Sequence, residues 1–160
     1  MVTVAAEDLR RAIGEVPDPE IPVLTIHDLG ILRDVRVDAA GHVDVDITPT
    51  YSGCPALEAI REDVERRVRG LGYDVTVHTV LSPAWTTDWL SDEARAKLHD
   101  HGVAPPRHRD ASLRLIEVQV TCPVCESVHT DEIAHFASTP CQALRRCQEC
   151  REPFQHFKEH

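Results

Sequence analysis

Two Cys-x-x-Cys pairs, Cys122/Cys125 and Cys147/Cys150, stand twenty-one residues apart and limit what the last third of this chain can be. Each pair turns the backbone so that two sulfurs face one centre, and two such knuckles opposed supply a thiolate tetrahedron, the geometry Zn2+ prefers. About fifty residues bury too little apolar surface to fold unaided, so a metal staple is expected in a β-rich zinc ribbon over 113–160. With four protein sulfurs in place no position is left for substrate water, which makes the expected zinc structural. The same tetrahedron accepts iron, so an iron-filled, rubredoxin-like site is the rival.

The 160 residues divide in this reading into an α+β domain over 1–103, a proline-containing linker over 104–112 and the ribbon. Lys and Arg number ten against nineteen Asp and Glu in 1–103, and seven against eight in 104–160. The net charge of −10 therefore sits almost wholly in the first part, and no basic footprint for a nucleic-acid backbone is visible. Neither a signal peptide nor a membrane-spanning run is read, so a cytoplasmic protein is expected, in which cysteines serve metal or thiol chemistry rather than disulfides.

In the first domain, Ala5, Leu9, Ala12, Ile13 and Val16 share a helical face that Pro17 ends. Pro17-Asp18-Pro19-Glu20-Ile21-Pro22 fixes three backbone angles and predicts a stiff loop. Ile31, Val35 and Val37, then Val43, Val45 and Ile47, alternate around a turn at 38–42 and predict a hairpin. Leu57, Ile60, Val64 and Val68 mark a helix over 55–70 with Pro55 at its first position. Val75 to Leu81 is a third strand, and the order implies a two-layer sandwich. Ser91 reads as the cap of a short helix ending at Gly102, and Ile116, Val118 and Val120 as a strand leading into the first knuckle.

Cys54 lies between the end of a strand and the start of a helix, where unsatisfied N–H groups and the helix dipole favour thiolate. The alternative is a small buried cap residue. Asp18, Glu20 and Asp28 are acidic groups on loops, either turn formers or, with Cys54, the wall of a shared pocket. An enzyme using Cys54 as nucleophile with His27 or His78 as base is a weaker reading. Trp85 and Trp89 either anchor a docking surface or cover the sheet edge or the domain junction. Cys141 is read as structural, or as a substitute for one ribbon ligand.

Asp18-Pro19-Glu20-Ile21-Pro22, Asp28-Leu29-Gly30-Ile31 and Thr48 through Cys54-Pro55 resemble the signature stretches of SufT-like iron-sulfur assembly domains. The run from Leu81 to Ser91, the four-cysteine ribbon and Glu152-Pro153-Phe154 are similar to the narrower PaaD family, which belongs to phenylacetyl-CoA epoxidase systems. The resemblance implies a bacterial accessory protein of aerobic phenylacetate catabolism that is not itself the catalyst, partnered by the oxygenase and reductase components. It implies that Cys54 contacts iron or an iron-sulfur cluster transiently, with Asp18, Glu20, Asp28 and Thr48 shaping the pocket, and that Cys122, Cys125, Cys147 and Cys150 hold zinc. One thiolate is too few for a stable cluster, so transfer, or a homodimer bringing two copies of Cys54, follows. A structural docking component of the oxygenase complex is the alternative function.

Overall fold

The computed structural model describes residues 2–51, 53–107 and 119–160. Two compact units, Met1–Trp85 and Thr86–His160, make up the chain. The side chain of Ala5, most of the linker, and Ile116 and Val118 lie outside the described residues.

In the first unit, helix α1 (Val2–Gly14) is followed by the hairpin β1 (Leu32–Val37) and β2 (Val43–Ile47), helix α2 (Leu57–Gly70) and β3 (Val75–Thr79). β1 and β2 run antiparallel, while β3 joins the other side of β2 in parallel, so α2 is the crossover between parallel neighbours. Gly41, at φ +86°, closes the hairpin, and Asp38 Oδ1 accepts from Ala40 N and His42 N at 2.8 and 2.9 Å. The alternation read in the sequence is realised: Val43, Val45 and Ile47 are buried, and the residues between them face outward. There Arg36 ties to Asp34 and Asp46, and His78 to Asp44, which suits a solvated face. Ile60, Val64 and Val68 of α2 are buried, as are Leu9 and Ile13 of α1, and the two helices pack against each other and the sheet. This is the expected two-layer α+β sandwich. The helix starts later than expected: Ala56 is its cap residue and Pro55 belongs to the turn before it.

The proline-rich connection is as stiff as its composition predicts, because backbone bonds hold it along its length. Asp18 N donates to Leu24 O, Ile26 N to Val16 O and Ile31 N to Ile26 O, each at 2.9 Å. Ile21, Leu24, Ile26, Leu29 and Ile31 point into the core. Trp85 finishes the unit: it is 5% exposed and its indole N–H donates to Leu29 O at 2.7 Å. That burial overturns the reading of Trp85 as an exposed docking anchor, since an indole spent on the core is not available to a partner.

The second unit starts with a single 3-10 turn (Thr87–Trp89), followed by helix α3 (Asp92–Asp100), capped by Ser91 Oγ, which accepts from Ala94 N at 3.0 Å. Strands β4 (Val103–Ala104), β5 (Thr130–Ala134), β6 (Gln142–Cys147) and β7 (Pro153–Phe157) form a sheet in the order β4-β7-β6-β5. β4 runs parallel to β7, and the β5-β6-β7 meander is antiparallel. Ala104, Val120, Cys122, Cys147 and Phe154 form one small core. The buried Arg95 guanidinium donates to the carbonyls of Thr87 and Pro106, tying the start of this unit to the segment after β4.

Trp85→Phe leaves the Leu29 carbonyl without its donor in a buried setting, and we expect the first unit to lose about 1–3 kcal/mol. Urea unfolding of the full chain checks this, with the metal content of the second unit unchanged.

Candidate functional site

Cys122 and Cys125 sit in the turn before β5, Cys147 at the end of β6 and Cys150 in the turn before β7. Their four sulfurs lie within 4.8 Å of one another, with Cys122–Cys150 at 3.8 Å and Cys125–Cys147 at 3.5 Å. A disulfide would need about 2.05 Å. A tetrahedron with metal–sulfur bonds of about 2.3 Å has edges of about 3.8 Å, so the donor set fits a tetrahedral thiophilic ion.

Each knuckle repeats the same backbone device. The residue after its second cysteine, Glu126 (φ 61°) or Arg151 (φ 67°), is in the left-handed region, which reverses the chain and brings the paired sulfurs together. Burial raises the Cys147 thiol, but backbone N–H groups of Cys150 and Glu149, together with the neighbouring sulfurs, outweigh it and bring the group to about 6. Cys150, whose sulfur accepts from Glu152 N–H, is raised to about 12 by burial and the three sulfurs around it. Protons thus divide unequally among crowded sulfurs, and a bound cation is what lets all four ionise together.

Among the described residues no other His, Cys, Asp and Glu group is gathered tightly enough to hold a metal. His129, His135 and His156 pair instead with Glu149, Glu132 and Glu159. Cys141 is buried outside the cluster, its sulfur 3.0 Å from Thr139 Oγ1, so it replaces no ligand there.

In the first unit Cys54 is half-buried in the turn between β2 and α2. Its thiol is raised, against the expectation of a dipole-activated thiolate. Burial is the largest cause; hydrogen bonds from Ala56 N–H and the Thr50 side chain act the other way, and Glu20 and Asp18 add repulsion. The helix begins only at Leu57, so the sulfur gains one amide but not the full helix end.

Asp18 and Glu20 are thereby brought into the electrostatic field of Cys54. Asp18 is 6% exposed; Oδ1 accepts from Glu20 N at 2.9 Å and Ile21 N at 2.7 Å. Its carboxyl is raised by burial, which exceeds the lowering by those two amides. Glu20 is raised by burial and by Asp18. Asp18 thus opposes ionisation of Glu20, and both carboxylates oppose that of Cys54, an arrangement that a cation would relieve.

Asp28 closes its own turn: Oδ2 accepts from Thr25 N at 3.0 Å, and Asp28 N donates to Thr25 Oγ1 at 3.1 Å. Thr48 is buried, and its N–H donates to Ile31 O at 2.9 Å, joining the end of β2 to the Asp28 loop. Both residues frame the loops. Thr50, which touches the sulfur, lies in the stretch Thr48–Pro55, but its hydroxyl carries no sequence signal apart from the fold. Neither proposed base stands out for a nucleophilic role: His78 Nε2 is 2.7 Å from Asp44 Oδ1, and His27 lies against Gly14, where an added Cβ would come within 3.1 Å of it.

The fold and the four-sulfur site define a class: a mixed α/β domain followed by a four-cysteine ribbon. Residues 6–79 match the family described as iron-sulfur cluster assembly protein, and 107–158 match the PaaD zinc beta ribbon domain. A protein of Escherichia coli (strain K12), named as one of the subunits of 1,2-phenylacetyl-CoA epoxidase, is 47% identical over 91% of this chain and 88% of its own length. An Fe-S protein maturation auxiliary factor of Porphyromonas gingivalis is 39% identical over 58% of this chain and 89% of its own. The crystal structure of a domain of unknown function, DUF59, from Bacillus anthracis superposes with a TM-score of 0.56 at 26% identity, covering 60% of this chain and 92% of that one. The chain belongs to the PaaD family of phenylacetyl-CoA epoxidase subunits. No helix among the described residues is long and apolar enough to cross a membrane.

A carboxyl raised in the folded chain favours folding below its unfolded value, 3.8 for Asp18, and that advantage is lost as pH rises through the folded value. Asp18→Asn keeps the oxygen that accepts from Glu20 N and Ile21 N while removing the charge. We expect a higher urea midpoint than wild type at about pH 7 and no gain at about pH 3.

Proposed function

We propose that this chain is a cytoplasmic maturation factor for phenylacetyl-CoA epoxidase, receiving iron or an iron-sulfur unit at Cys54 and passing it to the oxygenase or its reductase. The observation that carries the reading is the placement of Asp18 and Glu20 close enough to Cys54 to oppose its ionisation, on a domain that resembles Fe-S maturation factors. Iron here is cargo. Incoming cation draws the sulfur's electron pair, the thiol proton leaves to solvent, and the adjacent carboxylates lower the energy of the loaded state. One protein sulfur is too few to retain a cluster, which normally takes four, so the arrangement favours delivery over storage. Asp28 and Thr48 act by fixing the loops.

In the second unit the four cysteines hold a structural zinc. With every ligand supplied by protein, the metal joins the two knuckles and leaves no open position for chemistry. Chelation is expected to unfold the β5-β6-β7 meander while leaving the first unit folded, followed by amide exchange. Colourless protein with one zinc per chain supports zinc; red protein with thiolate-to-iron absorption would replace it with iron.

A second reading, a docking component of the oxygenase complex, is favoured by one observation: Ile133 and Phe136, at and just beyond the edge strand β5, are 54% and 65% exposed. Stable co-purification with the oxygenase that survives Cys54→Ser and fails with Phe136→Ser would favour it.

Cys54→Ser substitutes a hydroxyl that does not ionise near neutral pH, and we expect iron or cluster uptake by the first unit to fall at least about ten-fold. Epoxidase activity in cells should fall with it, at unchanged ribbon zinc. Wild-type uptake should rise with pH, because the raised thiol must lose its proton. Equal uptake and equal rescue by the variant would end the delivery reading.

A further inference from the structure

The ribbon's sulfurs are unequally protected. Cys122 and Cys147 are wholly buried and Cys150 is half-buried, but Cys125 is exposed, and so are its neighbours Val124 and Glu126. Amide N–H groups also surround the second knuckle: those of Glu149 and Cys150 point at the Cys147 sulfur, and that of Glu152 at the Cys150 sulfur. Of the four cysteines, Cys125 on the first knuckle is therefore the one most open to an approaching reagent. Across the cluster, on the other knuckle, the Cys147 sulfur lies 3.5 Å from that of Cys125, against 3.8 Å for the Cys122–Cys150 pair.

We propose that Cys125 is a site of oxidation by hydroperoxides, with Cys147 as its resolving partner, so that the ribbon releases its metal through a Cys125–Cys147 disulfide. The Cys125 thiolate attacks a peroxide oxygen; the O–O bond breaks, and hydroxide leaves and takes up a proton as water. Cys125 is then a sulfenic acid. The Cys147 thiolate attacks that sulfur, the S–S bond forms, and a second hydroxide leaves and is protonated to water. Two thiolates, one hydrogen peroxide and two protons give one disulfide and two waters, the two sulfurs having supplied both electrons. Two of four ligands are thereby removed, while the new bond keeps the two knuckles tethered. Cys122 and Cys150 remain as thiols, so a thiol reductant and fresh zinc restore the site.

The proposal rests on the metal reading of the ribbon, and the test separates the two. The purified full chain is first analysed for metal; absence of one bound thiophilic ion per chain would defeat the metal reading before peroxide is added. Loaded Cys54→Ser protein, which removes the competing half-buried thiol, is then given hydrogen peroxide. Metal release is followed with a chromogenic chelator, sulfenic acid is trapped with dimedone, and disulfides are mapped by mass spectrometry. We expect the dimedone adduct at Cys125 to exceed that at any other ribbon cysteine by at least about five-fold, and Cys125–Cys147 to be the dominant disulfide. Cys125→His puts a nitrogen ligand in place of the sulfur and should release metal at least about ten-fold more slowly. First modification at Cys150, a dominant within-knuckle disulfide, or metal retained at peroxide levels that oxidise Cys54 in the wild type would overturn it. If Cys125→His fails to load, the adduct distribution in the Cys54→Ser protein alone decides.

Discussion

Four sulfurs confined within 4.8 Å cannot all carry charge without a cation among them, and the second unit is organised around that constraint. Its apolar core is small, and two of the buried residues in it are cluster cysteines, Cys122 and Cys147. With a metal bound, folding of the meander and binding would be one event, the ion supplying the cohesion that a core of this size lacks. The left-handed turns at Glu126 and Arg151 show the same dependence, since strained reversals occupied by residues other than glycine persist only when something beyond the turn holds them.

The first unit applies the same electrostatics with the opposite outcome. Asp18, Glu20 and Cys54 also crowd potential negative charge, but around one sulfur rather than four and at a half-buried surface. Four sulfurs fill a coordination sphere and keep their ion. On the proposed function, one sulfur beside carboxylates would leave most of the sphere open, so an arriving ion would stay exchangeable. The loop that carries the carboxylates is held by backbone bonds, by a buried apolar underside and by Trp85, and this rigidity lets the repulsion persist instead of relaxing away.

Much of this was legible in the chain. The alternation of Val43, Val45 and Ile47 and the three-and-four spacing of Ile60, Val64 and Val68 report burial directly, because each residue's side-chain direction is fixed by local backbone geometry. The knuckle spacing likewise encodes its site, as both halves of the tetrahedron are local turns. Less legible was anything that depends on what lies across the fold. Cys54 stands where a helix end should ionise it, yet burial and two carboxylates from a distant loop raise its thiol instead. Trp85 has the sequence profile of a surface anchor and is spent on Leu29. The two-residue strand β4 has no periodicity to read, and only its pairing with β7 defines it.

The sequence by itself determined the main elements of the first unit and the spacing of the four clustered cysteines, because these depend on periodicity and on spacing along the backbone. Tertiary structure alone decided the upward push on the Cys54 thiol, the grouping of Asp18 and Glu20 near it, the burial of Trp85 and the exposure of Cys125. Desolvation and Coulomb repulsion act through space, and their strength is set by which distant residues the fold brings near.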